Sequence, residues 1–334
     1  MQNIKIFDST ERDGQHAIRH QITKSQIKNY AKLVEKTGIY ALVVGHGNGL
    51  GASSIHLGRS SLSDRQMLTT ARRELKSTKL CAFVLPGFAT LKDMDMAIAE
   101  GVDIFQIASH CTEATVTKQY IEYAKRKGKE VYGVLMMSHM LEGSELQKQA
   151  YTMKNYGVDG VFLMDSAGAL LPDDVGDRVC YMRAPASVGF HPHNNLGLAV
   201  ANAIAAVESG ASMIDGTSRG LGAGAGNCPL EVLVPVLHKM GYSTGINVER
   251  LFDCADYIAS QFPPQDLTPL SITSGLEGVF SGFKPHVLKA AKKYKVNPHE
   301  VMRRLGKEKV VAGQEDQILQ VAKDLKTNPM EALS

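Results

Sequence analysis

Hydrophobic and polar positions follow one another along most of the chain as short apolar runs separated by longer amphipathic segments. Runs rich in Val, Ile and Leu predict eight β-strands: Ile4–Phe7, Ala41–Val44, Leu80–Leu85, Ile104–Ile107, Val131–Met136, Gly160–Leu163, Ser187–Phe190 and Met213–Asp215. Helical spacing predicts eight helices: Lys24–Lys36, Asp64–Leu75, Met94–Glu100, Val116–Lys127, Glu145–Tyr156, Asp173–Cys180, Leu196–Ser209 and Leu230–Lys239. Eight βα units predict an α/β fold, a (β/α)8 TIM barrel closed by a parallel sheet.

The pattern changes after the eighth unit. Phe262-Pro263-Pro264 indicates a linker, and apolar spacing beyond it predicts helices at Val287–Tyr294, Pro298–Leu305 and Asp316–Leu325. We therefore predict a barrel domain over residues 1–262 and a small helical C-terminal domain over residues 263–334. The second domain could bind a partner, cover the barrel mouth as a lid, or pack on the outside.

Composition excludes several classes of protein. The 334 residues are 44% hydrophobic, enough for a large core, and the net charge of +3 comes without a basic run that would bind nucleic acid or an anionic membrane. The five cysteines are scattered without CxxC spacing, as in reduced cytosolic proteins. No apolar stretch reaches the roughly 20 residues that span a bilayer, and the N-terminus lacks a signal-peptide pattern. We expect a soluble, cytoplasmic protein.

The candidate chemistry collects at the predicted carboxyl ends of the strands, where barrel enzymes place their active sites. His191 and His193 lie two residues apart at the end of the seventh strand, so both rings face the same side. Asp13 follows the first strand. Two imidazoles and one carboxylate form the open ligand set of a catalytic divalent ion, and oxygen-rich coordination favours Mn²⁺ or Mg²⁺ over structural Zn²⁺. The same residues could instead be ordinary hydrogen-bonded side chains.

Three neighbouring side chains complete the hypothesis. Arg12 could stabilise a developing oxyanion, or only form an ion pair on the barrel rim. His16 could transfer protons near neutral pH, or only cap a turn. Ser166, near a predicted helix start, could hold a substrate carboxylate.

The glycine-rich run 220–227 lacks a Walker lysine and follows the eighth strand, so it fits neither nucleotide-binding fingerprint.

The motifs along the chain resemble those of the 4-hydroxy-2-oxovalerate aldolases, metal-dependent barrel lyases related to HMG-CoA lyase and isopropylmalate synthase. The resemblance covers nearly the whole chain and includes the C-terminal Gly313-Gln314-Glu315-Asp316. The matching segments are Asp8–Gln21, His110–Ala114, Leu135–Met140, Asp165–Leu170, His191–Asn202 and Arg219–Asn227.

This resemblance implies a class II pyruvate aldolase that cleaves a 4-hydroxy-2-oxo acid, such as 4-hydroxy-2-oxopentanoate, to pyruvate and an aldehyde through a metal-stabilised enolate. It implies Asp13, His191 and His193 as ligands of a divalent ion, usually Mn²⁺, with Mg²⁺ or Co²⁺ as alternatives. Arg12 would stabilise the enolate oxygen, His16 would act as base on the substrate hydroxyl, and Arg12, Ser166 and His191 would contact the substrate. It also implies an oligomer, a role in aromatic hydrocarbon catabolism, and an acylating aldehyde dehydrogenase partner bound through the C-terminal domain.

The chain departs from the family pattern at four places, which marks it as a divergent member. Glu11 stands where the family usually has leucine, Val43 replaces a second-strand glutamate, and Asn48 replaces an aspartate. The stretch that contains Phe280 lacks the family's tyrosines. Two alternatives therefore stay open: a Claisen-type acyl-CoA condensing enzyme or lyase of the same superfamily, and a catalytically weakened scaffold subunit that binds an aldehyde dehydrogenase.

Overall fold

Eight parallel strands form a closed barrel in the computed structural model, which describes residues 3–327. Each strand pairs with its neighbours in chain order, and β8 closes the sheet against β1 with Phe7 opposite Asp215. This confirms the predicted (β/α)8 barrel. The strands are β1 Lys5–Asp8, β2 Ala41–Val43, β3 Lys79–Val84, β4 Ile104–His110, β5 Glu130–Met136, β6 Gly160–Asp165, β7 Ser187–Pro192 and β8 Met213–Gly216.

Helices surround the barrel and form the C-terminal domain. Those of the barrel domain are α1 Lys24–Val34, α2 Asp64–Glu74, α3 Leu91–Ala99, α4 Lys118–Arg126, α5 Gly143–Tyr156, α6 Pro172–Met182, α7 Ala199–Glu208, α8 Leu230–Lys239 and α9 Val248–Gln261. Those of the C-terminal domain are α10 Pro269–Leu276, α11 Lys284–Tyr294, α12 Pro298–Lys307 and α13 Glu315–Thr327. Short 3₁₀ helices cover Asp13–His16, Ala114–Thr117, Ser138–Met140, Ser218–Gly220 and Ser281–Phe283.

Two helices were absent from the sequence prediction. Helix α9 packs against α1 and α8 through a buried face that includes Leu251, Cys254 and Ile258, so it extends the barrel's outer layer by one helix. Helix α10 follows a stretch without helix or strand, residues 263–268, which lies where the linker was predicted. The predicted C-terminal domain runs to residue 334, and its last seven positions lie outside the described residues.

Two hydrophobic cores hold the molecule together. One lies between the barrel wall and the surrounding helices. The other fills the barrel interior, where Phe7 meets Tyr132 and Phe162 edge to face, and continues into the C-terminal domain through Phe280 and Phe283. The shared core fixes the C-terminal domain over the carboxyl-terminal mouth of the barrel. Over residues 3–327, no helix combines the length and apolarity that crossing a membrane requires.

Candidate active site

The loop after β1 is held in one conformation by buried hydrogen bonds. Asp8 accepts from the Thr10 amide at 2.9 Å and from the Tyr30 hydroxyl at 2.6 Å. The amides of Arg12 and Asp13 both donate to the Ser9 carbonyl. The chain then turns into the 3₁₀ helix Asp13–His16, so that three functional candidates leave one short segment at the barrel mouth.

The predicted metal ligands come together at this mouth. One ligand atom from each of Asp13, His191 and His193 lies within 4.8 Å of the other two, and all three side chains are buried. The β7 alternation turns both imidazoles to the same side, with ring centroids 5.1 Å apart. The arrangement brings two nitrogen donors and one carboxylate to a single point.

The surroundings of the two histidines fit a metal centre. His193 Nδ1 donates to the Asp165 carbonyl at 3.0 Å, which leaves Nε2 unprotonated and facing Asp13 Oδ2 at 3.7 Å. Burial lowers the pKa of His193 to about 3, so the ring is in the neutral form that binds metals. Neither ring nitrogen of the fully buried His191 has a hydrogen-bond partner among residues 3–327. Nδ1 lies 3.3 Å from Asp215 Oδ2, so Nε2 is the atom that a divalent ion would satisfy.

Asp13 is ionised and oriented by several donors. Oδ1 forms an ion pair with Arg12 at 2.9 Å, while Oδ2 accepts from Asn227 Nδ2 at 2.6 Å and from the Ala223 amide at 3.2 Å. Burial pushes the pKa of Asp13 upward, but Arg12 and the nearby histidines outweigh burial and hold it well below its usual range. The carboxylate is therefore available as an anionic ligand across the physiological pH range.

Arg12 forms an ion pair with Asp13 and also lines the cavity. Its guanidinium donates to the Gly47 carbonyl and the Ser9 hydroxyl, both at 3.4 Å, and its Cζ lies 4.8 Å from the Phe83 ring centroid. Arg12 Nε has no hydrogen-bond partner among the described residues. Val43, where the sequence analysis expected a glutamate, is buried in the barrel interior, and Asp13 is the acidic partner of Arg12.

His16 is half-buried and lines the same cavity as Arg12 and Asp13. Burial, partly offset by the charge of Asp13, lowers the pKa of His16, which makes the neutral, proton-accepting form dominant at neutral pH. Gly47 leaves room for this ring, because a Cβ atom there would lie 2.4 Å from His16 Nε2. The ring's position therefore depends on glycine at residue 47.

Ser166 lies behind the mouth. Its fully buried hydroxyl accepts from the Met137 amide at 3.0 Å and is absent from the cavity lining over the described residues. Met137 has a left-handed backbone conformation, with φ of 55°, so Ser166 supports a strained turn after β5. Of the other two predicted substrate contacts, Arg12 lines the cavity, whereas His191 is absent from its lining over the described residues.

The cavity in front of these groups has a volume of about 30 Å³ and a largely apolar wall. Its apolar wall is formed by Phe83, Leu85, Phe88, Met136, Met164, Ala223, Phe280 and Ala312. Asn48 and Phe280, two positions that the sequence analysis expected to depart from the family pattern, both line it, and Gly313 contributes from the C-terminal domain. Arg12, Asp13, His16 and His193 thus face a cavity whose wall is largely apolar.

Two supporting residues were missed by the sequence analysis. Asp215, at the end of β8, places Oδ2 3.3 Å from His191 Nδ1 and accepts from Gln106 Nε2 at 3.2 Å. Asn227 closes the glycine-rich run and donates to Asp13. Asp215 could have been predicted, because its place in the strand turns it toward the barrel interior. The contact of Asn227 with Asp13 could not, because it depends on tertiary structure alone.

Comparison with solved structures supports the architecture. The chain superimposes on HMG-CoA lyase from Brucella melitensis with a TM-score of 0.67 and 18% identity, covering 78% of this chain and 99% of that one. It superimposes on the carboxyl transferase domain of Rhizobium etli pyruvate carboxylase with a TM-score of 0.84 and 14% identity, covering 99% of this chain and 62% of that one. Identities this low show a shared fold.

Comparison with family models and protein sequences gives closer relatives. Residues 3–258 match the HMGL-like family model, and residues 265–327 match the DmpG-like communication domain. The chain is 50% identical to the 4-hydroxy-2-oxovalerate aldolase of Serratia proteamaculans over 91% of its length and 92% of the relative. It is 48% identical to that of Spirochaeta aurantia over 92% and 91%. The chain is therefore a carbon–carbon lyase that belongs to the 4-hydroxy-2-oxovalerate aldolase family.

Proposed function

We propose that this chain is a divalent-metal-dependent pyruvate aldolase that cleaves a 4-hydroxy-2-oxo acid, such as 4-hydroxy-2-oxopentanoate, to pyruvate and an aldehyde. The observation that carries the proposal is the convergence of Asp13, His191 and His193 beside Arg12 and His16 at the mouth of one cavity. Relatives at 42–50% identity carry the aldolase name, which favours this reaction over acyl-CoA condensation.

Mn²⁺ is the ion that we propose for this ligand set, with Mg²⁺ or Co²⁺ as alternatives. A carboxylate and two imidazoles, with room for substrate oxygens, match the mixed oxygen and nitrogen preference of Mn²⁺, and the set offers no thiolate. When bound there, the ion would act as a Lewis acid that polarises the oxygens of a 2-oxo acid.

During cleavage, one side chain of the protein accepts a proton and another stabilises negative charge. His16 accepts the proton of the C4 hydroxyl, the C3–C4 bond breaks, and the C4 carbon leaves as an aldehyde. The electron pair stays on the three-carbon fragment as an enolate, whose oxygen Arg12 stabilises with its charged, directional donors. Protonation of the C3 carbon completes pyruvate. The largely apolar wall lowers the local dielectric constant, which strengthens each of these electrostatic contacts.

Cleavage tests the proposal directly. Purified protein is incubated with 4-hydroxy-2-oxopentanoate and Mn²⁺, and pyruvate is measured with lactate dehydrogenase and NADH. We expect pyruvate without added coenzyme A, and its loss after metal removal with EDTA. Absence of pyruvate with Mn²⁺, Mg²⁺ and Co²⁺ alike would overturn the proposal, and a requirement for coenzyme A would favour the acyl-CoA alternative.

We also propose that the aldehyde passes to an acylating aldehyde dehydrogenase bound through the C-terminal domain. The match of residues 265–327 to a communication domain supports this role. The domain also exposes apolar side chains, with Leu276 72% exposed and Leu288 and Leu319 nearly half exposed. Co-purification with an added acylating aldehyde dehydrogenase, weakened by Leu276→Asp, is the expected result. Equal recovery of the dehydrogenase with and without this chain would contradict it.

A further inference from the structure

The loop Leu221–Asn227 lies between the metal-ligand cluster and the C-terminal domain, and its inner side orients the ligand carboxylate. Asn227 Nδ2 and the Ala223 amide both donate to Asp13 Oδ2. The loop also borders the β7 ligands, because the Asn194 amide donates to the Gly226 carbonyl at 2.8 Å. A shift of this loop would therefore move the groups that hold Asp13 and the segment that follows His193.

The outer side of the loop is held by residues that follow the barrel. Lys284, the first residue of α11, donates to the Gly224 carbonyl at 3.3 Å and to the Ser271 hydroxyl at 2.7 Å. Gln265 Nε2 donates to the same Gly224 carbonyl at 3.1 Å. Two donors from outside the barrel thus converge on one carbonyl, one residue away from the Ala223 amide that contacts Asp13.

Asn195 provides a second connection between the loop and the C-terminal domain. Its Oδ1 accepts from the Ala225 amide at 2.9 Å, and its Nδ2 donates to the Ser281 hydroxyl at 2.9 Å. Asn195 is fully buried and lies two residues after His193. The same side chain therefore joins the loop, the end of β7 and the C-terminal domain.

The loop has little free space in which to absorb a displacement. A Cβ atom at Gly222 would lie 2.0 Å from Asn227 Nδ2 and 2.6 Å from Asp13 Oδ2. One at Gly224 would lie 2.5 Å from Asn195 Oδ1. Because the loop is packed closely on both sides, movement on its outer face is transmitted to its inner face.

We propose that the C-terminal domain controls the barrel's affinity for its divalent ion through the loop Leu221–Asn227, with Lys284 as a positioning residue. The inference rests on the proposed metal centre. Lys284 does not contact Asp13. It holds the Gly224 carbonyl, and the neighbouring Ala223 amide orients Asp13. Any molecule that shifts α11 would change metal binding, and metal binding would by linkage change the affinity for that molecule.

Mn²⁺ binding without substrate tests the proposal. The electron paramagnetic resonance signal of free Mn²⁺ is followed during titration of the full chain, first cleared of metal with EDTA. Lys284→Met keeps the length of the side chain but removes both hydrogen bonds, and Ser281→Ala removes the contact with Asn195. We expect each to raise the dissociation constant for Mn²⁺ about 3- to 10-fold, the order expected from losing one or two hydrogen bonds. Lys289→Met, at an exposed position of the same helix, is the matched control and should bind as the wild type does.

A second readout separates positioning from general destabilisation. Mn²⁺ should slow hydrogen exchange of the Ala223 and Ala225 amides in the wild-type protein and slow it less in Lys284→Met. If Lys284→Met does not fold, Ser281→Ala decides the question.

The possible failures are distinguishable. Wild-type affinity within twofold in both variants, or an equal loss in Lys289→Met, would overturn the inference and leave the metal centre standing. A wild-type protein that does not bind Mn²⁺ would overturn both.

Discussion

Replacing Glu11 by glutamine is expected to stabilise the protein increasingly as the pH rises above about 5. Glu11 is only 1% exposed, and neither carboxylate oxygen has a hydrogen-bond partner within the described part of the chain. Burial, reinforced by the charge of Asp8, raises the pKa of Glu11 well above its ordinary value of 4.5. The folded protein therefore keeps a proton that the unfolded chain releases.

The sign and size of the effect follow from this difference in proton binding. Because the folded state binds more protons above pH 4.5, the free energy of unfolding of the wild type falls as the pH rises. The free energy of unfolding falls by about 1.4 kcal/mol for each pH unit while the Glu11 carboxyl stays protonated in the folded state. The total decrease at pH 7 is at most about 3 kcal/mol. Glutamine has nearly the same shape and does not titrate, so Glu11→Gln removes this loss.

Urea unfolding of both proteins at half-unit steps from pH 5 to pH 8 measures the effect. EDTA is present throughout, so that pH-dependent metal binding does not contribute. Asp8, whose pKa burial raises to about 6, titrates in both proteins, and the difference between them isolates Glu11. Glu11→Leu also removes the unpartnered oxygens and should be more stable than the wild type at pH 7. Wild-type and Glu11→Gln curves that run parallel over the whole range would refute the reasoning.

Three further outcomes are expected. Asp215→Asn should weaken Mn²⁺ binding about 10-fold, because Asp215 orients the ligand His191 from 3.3 Å, and an unchanged dissociation constant would contradict this role. Arg12→Lys keeps the charge but loses the planar fork, so the rate of pyruvate enolisation should fall about 100-fold or more; a rate within tenfold of the wild type would count against Arg12 as the enolate's partner. Among the five cysteines only Cys180 is exposed, so the native protein should react rapidly with one equivalent of Ellman's reagent, and fast reaction of two or more would show that the core opens.

The barrel could be predicted from the sequence because strands buried on both faces appear as uninterrupted apolar runs, and each run was followed by a helical spacing. Helix α9 was missed although Leu251, Cys254 and Ile258 have helical spacing and Asn247 provides an N-cap, so the local signal was present and was not used. Its packing against α1, which is distant in the sequence, supplies the stabilisation that the local pattern does not reveal.

In the candidate site, too, the sequence predicted the residues whose direction local structure sets, but not the contacts that depend on the tertiary fold. The shared direction of His191 and His193 follows from strand alternation, and Asp13 follows from its place after the first strand. Contacts that depend on barrel closure or on the C-terminal domain could not be predicted, such as those of Asn227 with Asp13 and of Lys284 with Gly224. The local motif suggested that Ser166 binds substrate, but its hydroxyl accepts a hydrogen bond from the Met137 amide. A local motif does not show such a tertiary contact.

Exchange of the pyruvate methyl protons with D₂O, followed by mass spectrometry, tests the central claim most directly, because it requires the ion, Arg12 and a base but no aldehyde. Exchange is predicted for the wild type with Mn²⁺, and its loss is predicted both after EDTA treatment and in Asp13→Ala. Undiminished exchange in Asp13→Ala, or none in the wild type with Mn²⁺, Mg²⁺ or Co²⁺, would contradict a metal-assisted enolate at this site.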